Sequence, residues 1–484
     1  MRFNYDRLSA QDNSFLLLET HHLPMHVSSA LVFDSGPLRT PEGGVDVEAV
    51  RRATAGVLHR IPRYRQKLHW IPLDRHAVWV DDPRFQLDFH LRHTALPKPG
   101  SPEQLKRLCA RIMAQPLDRS RPLWETWVVE GLAGGERFAL VTKIHHCMID
   151  GASGMDLAHI LLSPEADAPP PPEVPDFVPR PAPSGAQLLR DEASRRLALP
   201  FRAVQGVREF ARQTADLREE LLVRGRALLN LARTGTRADE TPLNGRVGPH
   251  RRFDWLDVPL DGLKAMRRSL GCTINDLVLT AVSGAVREYL LYRGVHPERI
   301  VFRASAPVSV RSEAERGRLG NRVSSWILPL PIAEADPREQ LASILRQTQL
   351  LKQTRQALGV EMMMGVAEWT PSILLSLGAR AISGPVNTIV TNVPGPQIPL
   401  YLQGARLRAL YPQAPLLDGM GLAIGLVSYD GRVHWGIVSD PDLVPDADVF
   451  VDLVAKSLRA LAEIAGLAPD AAAAGADAPV PSVH

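Results

Sequence analysis

Two mixed α/β units joined by a linker are the architecture that three features of this sequence predict. The first is length: 484 residues exceed what one hydrophobic core ordinarily serves, so two domains are expected. The second is the alternation, early and late in the chain, of short β-branched runs with apolar residues at three-to-four spacing. The third is Pro164 to Pro183, so dense in Pro and Ala that it can form neither regular helix nor central strand and reads as an exposed linker. These features place a first lobe at 1–165, a linker and Arg-rich helical crossover at 166–245, a second lobe at 246–466 and a disordered tail at 467–484.

In the first lobe, Leu8 to Glu19 reads as a short helix and Met25 to Phe33 as a strand. Pro41 to Arg60 carries Val45, Val50, Ala53 and Val57 at helical spacing. Trp79-Val80 and Phe89-His90-Leu91 have the aromatic and branched character of strands. Ser101 followed by Pro102 opens a helix that runs to about Ala114. Trp124 to Glu130 is a strand, and the Gly131 to Gly135 turn connects it to the next, Phe138 to Ile144. The crossover, Gln187 to Arg237, is rich in Arg and Leu; it reads either as a solvated helix between lobes or as a basic amphipathic surface for anionic lipid.

In the second lobe, Phe253 to Val258 is a strand and Leu260 to Leu270 a helix ended by Gly271. Thr273 and Asp276 have the spacing of a capping box for a helix reaching Tyr292. Strands follow at Ile300 to Val310 and Leu319 to Leu328, with helices at Pro337 to Leu358 and Glu361 to Gly378. Asn387 to Pro396 is a strand running into a Pro-Gly turn. Met420 to Tyr429 and Arg432 to Ser439 form a hairpin whose Asp430-Gly431 suits a type I′ turn, and Val449 to Ala465 is the last helix.

Composition removes several classes of function. A net charge of +3 is too small to argue for nucleic acid, and 45% hydrophobic with 23% charged residues is an ordinary globular balance. Cys109, Cys147 and Cys272 lie at unrelated spacings, which speaks against a disulfide framework and for a reducing, cytoplasmic setting. The N-terminus lacks the apolar core of a signal peptide, and no apolar run reaches the ~18 residues of a spanning helix. A soluble or peripheral protein is therefore expected. There is no phosphate-binding loop, no Gly-x-Ser-x-Gly elbow and no helical zinc-protease pair; Gly419-Met420-Gly421 has the wrong spacing for a dinucleotide loop.

Those absences leave one chemical candidate, His145-His146-Cys147-Met148-Ile149-Asp150-Gly151, at the end of a strand. Successive strand side chains face opposite ways, so only one of the two histidines looks into a given cavity. A neutral imidazole there can take a proton from a hydroxyl. The same residues also read as a strand-end pair with Asp150 capping the next turn. A metal lacks a third ligand at recognisable spacing, and Cys147 as nucleophile lacks an orienting partner. Asn275 sits where helix amides favour negative charge, or it only helps cap its own helix.

His145-His146-Cys147-Met148-Ile149-Asp150-Gly151 matches the HHxxxDG motif of CoA-dependent acyltransferases and peptide-synthetase condensation domains. Pro122-Leu123-Trp124, Asn275-Asp276 and Asn392-Val393-Pro394-Gly395-Pro396 resemble the PLW, ND and NVPGP motifs of bacterial wax ester synthase/acyl-CoA:diacylglycerol acyltransferases. Leu8 to Val27 is similar to that family's opening, Pro242-Leu243-Asn244-Gly245 also fits, and the likeness spans about residues 5 to 466. The resemblance implies a chloramphenicol acetyltransferase-like fold of two lobes around a central channel. It implies His146 as general base with His145 beside it, and direct attack of an alcohol or diacylglycerol on acyl-CoA, with no further cofactor and no metal. Asp150 would pair with Arg311 and, with Gly151, hold the loop; Asn275 would help hold the reacting groups. Pro122, Leu123, Trp124, Asp276, Asn392, Pro394 and Gly395 are expected near substrate. Contact with membrane or lipid droplets is an expectation from the oily substrates. Oligomeric state, a homodimer included, is left open. Competing readings keep the fold but acylate another hydroxyl or amine or draw on a carrier protein, or make the chain a non-enzymatic lipid-surface protein.

Overall fold

The structure, a computed structural model, describes residues 5–74, 76–148, 160–169, 176–198, 238–309, 323–354 and 386–468. The first lobe contains β1 (Asp6–Arg7), α1 (Ala10–Leu18), β2 (His26–Asp34), α2 (Val47–Val57), β3 (Gln66–Trp70), β4 (Ala77–Asp81), α3 (Leu87–His90), β5 (Leu91–Ala95), α4 (Pro102–Ala114), β6 (Trp124–Leu132) and β7 (Arg137–His145). A helix over 185–198, α5, follows. Then come β8 (Arg252–Pro259), α6 (Leu260–Leu270), α7 (Ile274–Tyr292), β9 (Arg303–Ser309), β10 (Val323–Pro329), α8 (Pro337–Thr354), β11 (Thr388–Pro394), β12 (Tyr401–Leu402), β13 (Ala405–Gln413), β14 (Leu422–Tyr429), β15 (Arg432–Ser439) and α9 (Ala447–Ile464).

Local chemistry sets the helix starts. Ser9 accepts from the Asp12 amide and Asp46 from the Ala49 amide. Ser101 with Gln104, and Thr273 with Asp276, form complete capping boxes. Gly271 ends α6 at φ 64°, a left-handed position that glycine takes without steric cost.

The strands form two six-stranded sheets, in the orders β12-β13-β2-β7-β6-β5 and β10-β9-β11-β14-β15-β8, and a small sheet β1-β4-β3. The second core is built on α7, where Leu277, Val278, Ala281, Val282, Ala285, Val286 and Tyr289 are all fully buried. A helix apolar nearly all round belongs inside a domain. The hairpin joining β14 and β15 turns at Asp430 and Gly431, both at positive φ as a type I′ turn requires.

One boundary differs from the sequence reading. Residues 401–413, placed in the second lobe, supply β12 and β13 to the first sheet, where Leu410 pairs with Leu31 and Tyr411 with Ala30. This strand also presses on the second sheet. A Cβ at Gly436 would stand 1.8 Å from the Pro412 carbonyl, so only glycine admits the crossing. Tyr411 stacks on Trp255 at 4.4 Å and donates to Asp257 at 2.8 Å, and Asp257 holds His434 Nδ1 at 2.6 Å. The lobes thus share a strand and a buried polar network. Strand continuity is decided by pairing partners far apart in sequence, which local pattern cannot show.

Three smaller corrections follow. The second helix begins at Val47, not Pro41, because Asp46 caps it. Phe89-His90 lies in α3, and the strand starts only at Leu91. The Pro-rich linker is docked over its described final part: Arg180 pairs with Asp81, Phe177 lies 4.2 Å under Arg65, and Leu188 of α5 is buried on the small sheet. Residues 199–237, the predicted helix at 361–378 and most of the tail lie outside the described residues.

Candidate active site

Two neighbouring strands hold the double histidine. His26 of β2 stands directly opposite His145 of β7, so both rings project from the same face of the sheet. The His145 amide donates to the Leu123 carbonyl at 3.0 Å, and the His146 amide donates to the Met25 carbonyl at 2.8 Å. The backbone then leaves the sheet in a 3₁₀ turn, His146–Met148. Within that turn the Cys147 amide donates to His145 Nδ1 at 3.1 Å. An accepting Nδ1 puts the His145 proton on Nε2.

Nε2 of His145 faces Glu19, the residue that ends α1. Glu19 Oε1 lies 3.4 Å from Nε2 of both His145 and His26 and accepts from the Met25 amide at 3.1 Å. Its other oxygen accepts Nε of Arg119 at 3.0 Å and also Nη2. Burial alone would raise the Glu19 pKa. Its contacts with His145 and His26 outweigh that and hold it far below the ordinary carboxylate range. Burial lowers His26 to about 4, against the opposing pull of Glu19. Among the described residues no group of His, Cys, Asp and Glu is arranged to hold a metal ion, and the cation facing Glu19 is Arg119.

His146 is built differently. Its ring is half-buried and stacks on Phe15 of α1, centroids 3.9 Å apart and planes inclined by 23°. Nδ1 is buried and has no hydrogen-bond partner among the described residues. Burial lowers the ring's pKa to about 4, with repulsion from His145 adding to it and its own backbone opposing. His146 is therefore neutral near pH 7. Burial, then the charges of Asp12 and Glu19, push the Cys147 thiol well above its usual value. A protonated, buried thiol is no nucleophile.

The remaining expected residues divide. Leu123 and Trp124 are buried, and Trp124 stacks on His90 and donates to the Tyr64 carbonyl at 2.8 Å. Pro122-Leu123-Trp124, expected near substrate, is buried, and its Leu123 carbonyl anchors the His145 amide. Asp276 is likewise buried, its oxygens engaged by the Thr273 amide and hydroxyl and by Thr348 Oγ1. Asn275 is half-buried in the first turn of α7, on the second lobe. Asn392 and Pro394 end β11, half-buried and exposed respectively, and the Gly395 amide donates to Ser428 at 3.1 Å. Asp150, Gly151 and Arg311 lie outside the described residues. Sequence reasoning missed Phe15, Glu19, His26 and Arg119. A weak signal existed, since Phe15 and Glu19 are four apart on one helix.

With this geometry in place, comparisons identify the fold and family. Residues 8–278 match the wax ester synthase/diacylglycerol acyltransferase catalytic domain, and residues 319–462 match the C-terminal domain of the same family. A Mycobacterium tuberculosis (strain H37Rv) protein bearing the name diacylglycerol O-acyltransferase is 33% identical over 486 residues, covering 96% of this chain and 92% of the relative. Another from the same strain, tgs1, is 31% identical, covering 94% and 97%. The solved wax ester synthase/diacylglycerol acyltransferase of Marinobacter aquaeolei VT8 superposes with a TM-score of 0.66 at 27% identity, covering 95% of this chain and all of that one. The first condensation domain of the calcium-dependent antibiotic synthetase shares the fold at a TM-score of 0.59 and 16% identity, covering 97% and 98%. The chain is a two-lobed acyltransferase and belongs to the wax ester synthase/diacylglycerol acyltransferase family.

Proposed function

We propose that this chain transfers a fatty acyl group from acyl-CoA to the hydroxyl of a long-chain alcohol or a diacylglycerol, with His146 as general base. The observation carrying this reading is His146 itself: a neutral imidazole, lifted out of the sheet, held by its amide and by Phe15, beside a thiol that stays protonated. With Nδ1 buried, Nε2 meets the substrate. It takes the acceptor proton as the oxygen attacks the thioester carbonyl. The C–S bond then breaks, and the imidazolium returns the proton to the leaving CoA sulfur. No acyl-enzyme forms. The base supplies about 10²–10⁴-fold of the rate. Positioning and stabilisation of the developing oxyanion supply the rest, and Asn275 at the amide-rich start of α7 is our candidate for the latter. The imidazolium formed in transit lies on the face of the Phe15 ring, which favours a cation.

The test is release of CoA from palmitoyl-CoA with hexadecanol or a diacylglycerol, by wild type and His146→Ala. Acceptor-dependent release lost in the variant supports the reading, and the faster acceptor names the main product. Release without acceptor overturns it in favour of thioester hydrolysis.

The same reading places the protein peripherally on a lipid surface, cytoplasmic side. Among the described residues no single helix is long and apolar enough to cross a membrane. The β3–β4 hairpin supports surface contact. Its tip, closed by the Asp74 amide donating to the Ile71 carbonyl, presents Leu73 at 95% exposure and φ 63°, with Trp70 also exposed. A branched residue at positive φ is costly, so an exposed Leu there suggests use. Leu73→Asp is expected to weaken flotation with anionic liposomes, and failure of the wild type to float removes the idea.

A further inference from the structure

Glu19 is surrounded by donors. Arg119 offers two N–H groups and the Met25 amide a third, and Nε2 of both His145 and His26 stands 3.4 Å from the same oxygen, Oε1. A carboxylate meets such a cage because it only accepts. The far side of His145 is equally constrained, its Nδ1 taking the Cys147 amide. The two ring nitrogens are therefore coupled: a proton on Nε2, the nitrogen that faces Glu19, leaves Nδ1 free to accept the Cys147 amide and close the turn that carries His146.

Resting on His146 as the base, we propose that Glu19 is a positioning residue for the reaction: its ionised carboxylate selects the Nε2–H tautomer of His145, and that tautomer locks the 145–147 turn that presents His146. Glu19 acts through another residue and touches no reacting atom in this scheme. At 3.4 Å the Glu19–His145 contact is long for a hydrogen bond. Such contacts tighten in the complex with substrate. Gln at 19 brings an N–H₂ group into a cage made of donors. Turned to the histidines, it favours the other His145 tautomer, whose Nδ1–H opposes the Cys147 amide. Turned to Arg119, it breaks that pair. Asp keeps the charge and loses only reach.

Two measurements test this. Imidazole ¹⁵N chemical shifts of wild-type protein report the His145 tautomer without any substitution. Protonation at Nε2 is expected, and protonation at Nδ1 overturns the proposal even if His146→Ala abolishes activity. Steady-state kinetics of Glu19→Gln and Glu19→Asp give the second. Glu19→Gln is expected to lower kcat about 30- to 100-fold with the KM for acyl-CoA within threefold, and Glu19→Asp to recover at least a fifth of wild-type kcat. A folded Glu19→Gln with kcat within threefold of wild type refutes a positioning role. So does a rise in KM that accounts for the whole loss. If Glu19→Gln fails to fold, the wild-type tautomer decides alone.

Discussion

Among the described residues two buried histidine–carboxylate clusters invite comparison, and the one with better hydrogen-bond geometry is not the one beside the proposed base. At the lobe junction, His434 Nδ1 lies 2.6 Å from Asp257, which also accepts from the Tyr411 hydroxyl. In the first lobe, His145 and His26 stand 3.4 Å from Glu19, and the proposed base is their neighbour, His146. The difference is where the strand lets go. His434 sits in mid-strand, paired with Val427 on one side and Asp257 on the other, and its side chain is 1% exposed. His146 lies one residue past the end of β7, where the chain turns away and leaves a half-buried ring. A tight His–Asp pair, by itself, marks a polar latch as readily as a catalyst; access distinguishes them.

Substituting each histidine sharpens this contrast. His146→Ala is expected to cost about 10²–10⁴-fold in turnover while the melting temperature stays within a few degrees of wild type. His434→Ala strands a buried Asp257 and is expected to cost about 3–5 kcal/mol of stability, with turnover of the folded enzyme within a few-fold. Thermal unfolding and acyl-transfer assays on both variants check the pair. Equal loss of turnover in both, at wild-type stability, breaks the distinction.

Acid is expected to act on stability through the first-lobe histidines. Burial lowers His26, His76 and His146 each to about 4 in the folded protein, against an ordinary value of 6.5. Between those values the unfolded chain binds more protons than the folded one, so stability rises with pH across that window. The stability is complete above 6.5 and is lost as pH falls towards 4. Calorimetry from pH 7.5 to 4.5 is expected to show a falling melting temperature, and His76→Asn to flatten the fall; a curve without slope below 6.5 contradicts it.

The smallest effect is expected at Phe15. Phe15→Leu keeps an apolar neighbour but removes the ring face beneath His146. A cation–π contribution of ~0.5–1 kcal/mol predicts a kcat lowered about 2- to 5-fold. Single-turnover rates at saturating acyl-CoA measure it.

Much of the local structure was legible. The capping pairs Ser101–Gln104 and Thr273–Asp276, the Gly271 stop and the Asp430-Gly431 turn sit where their chemistry places them, because each depends on residues within four positions. The HHxxxDG and PLW motifs meet in the fold: the His145 amide donates to the Leu123 carbonyl. For Pro122-Leu123-Trp124 the structure adds a packing role: a motif marks residues that a fold or a reaction needs without saying which, and Leu123 and Trp124 are buried in the first-lobe core.

The sequence by itself determined that His146 follows a strand, that α7 is wrapped in apolar residues, and that no competing catalytic motif stands elsewhere; periodicity, capping and spacing are properties of neighbours along the chain. Tertiary structure alone decided that β13 crosses from one lobe to the sheet of the other, that Glu19 and Arg119, 100 residues apart, meet beneath the double histidine, and that His434 has a close carboxylate in Asp257. Those contacts arise from pairing and burial between segments remote in sequence, which no local pattern encodes.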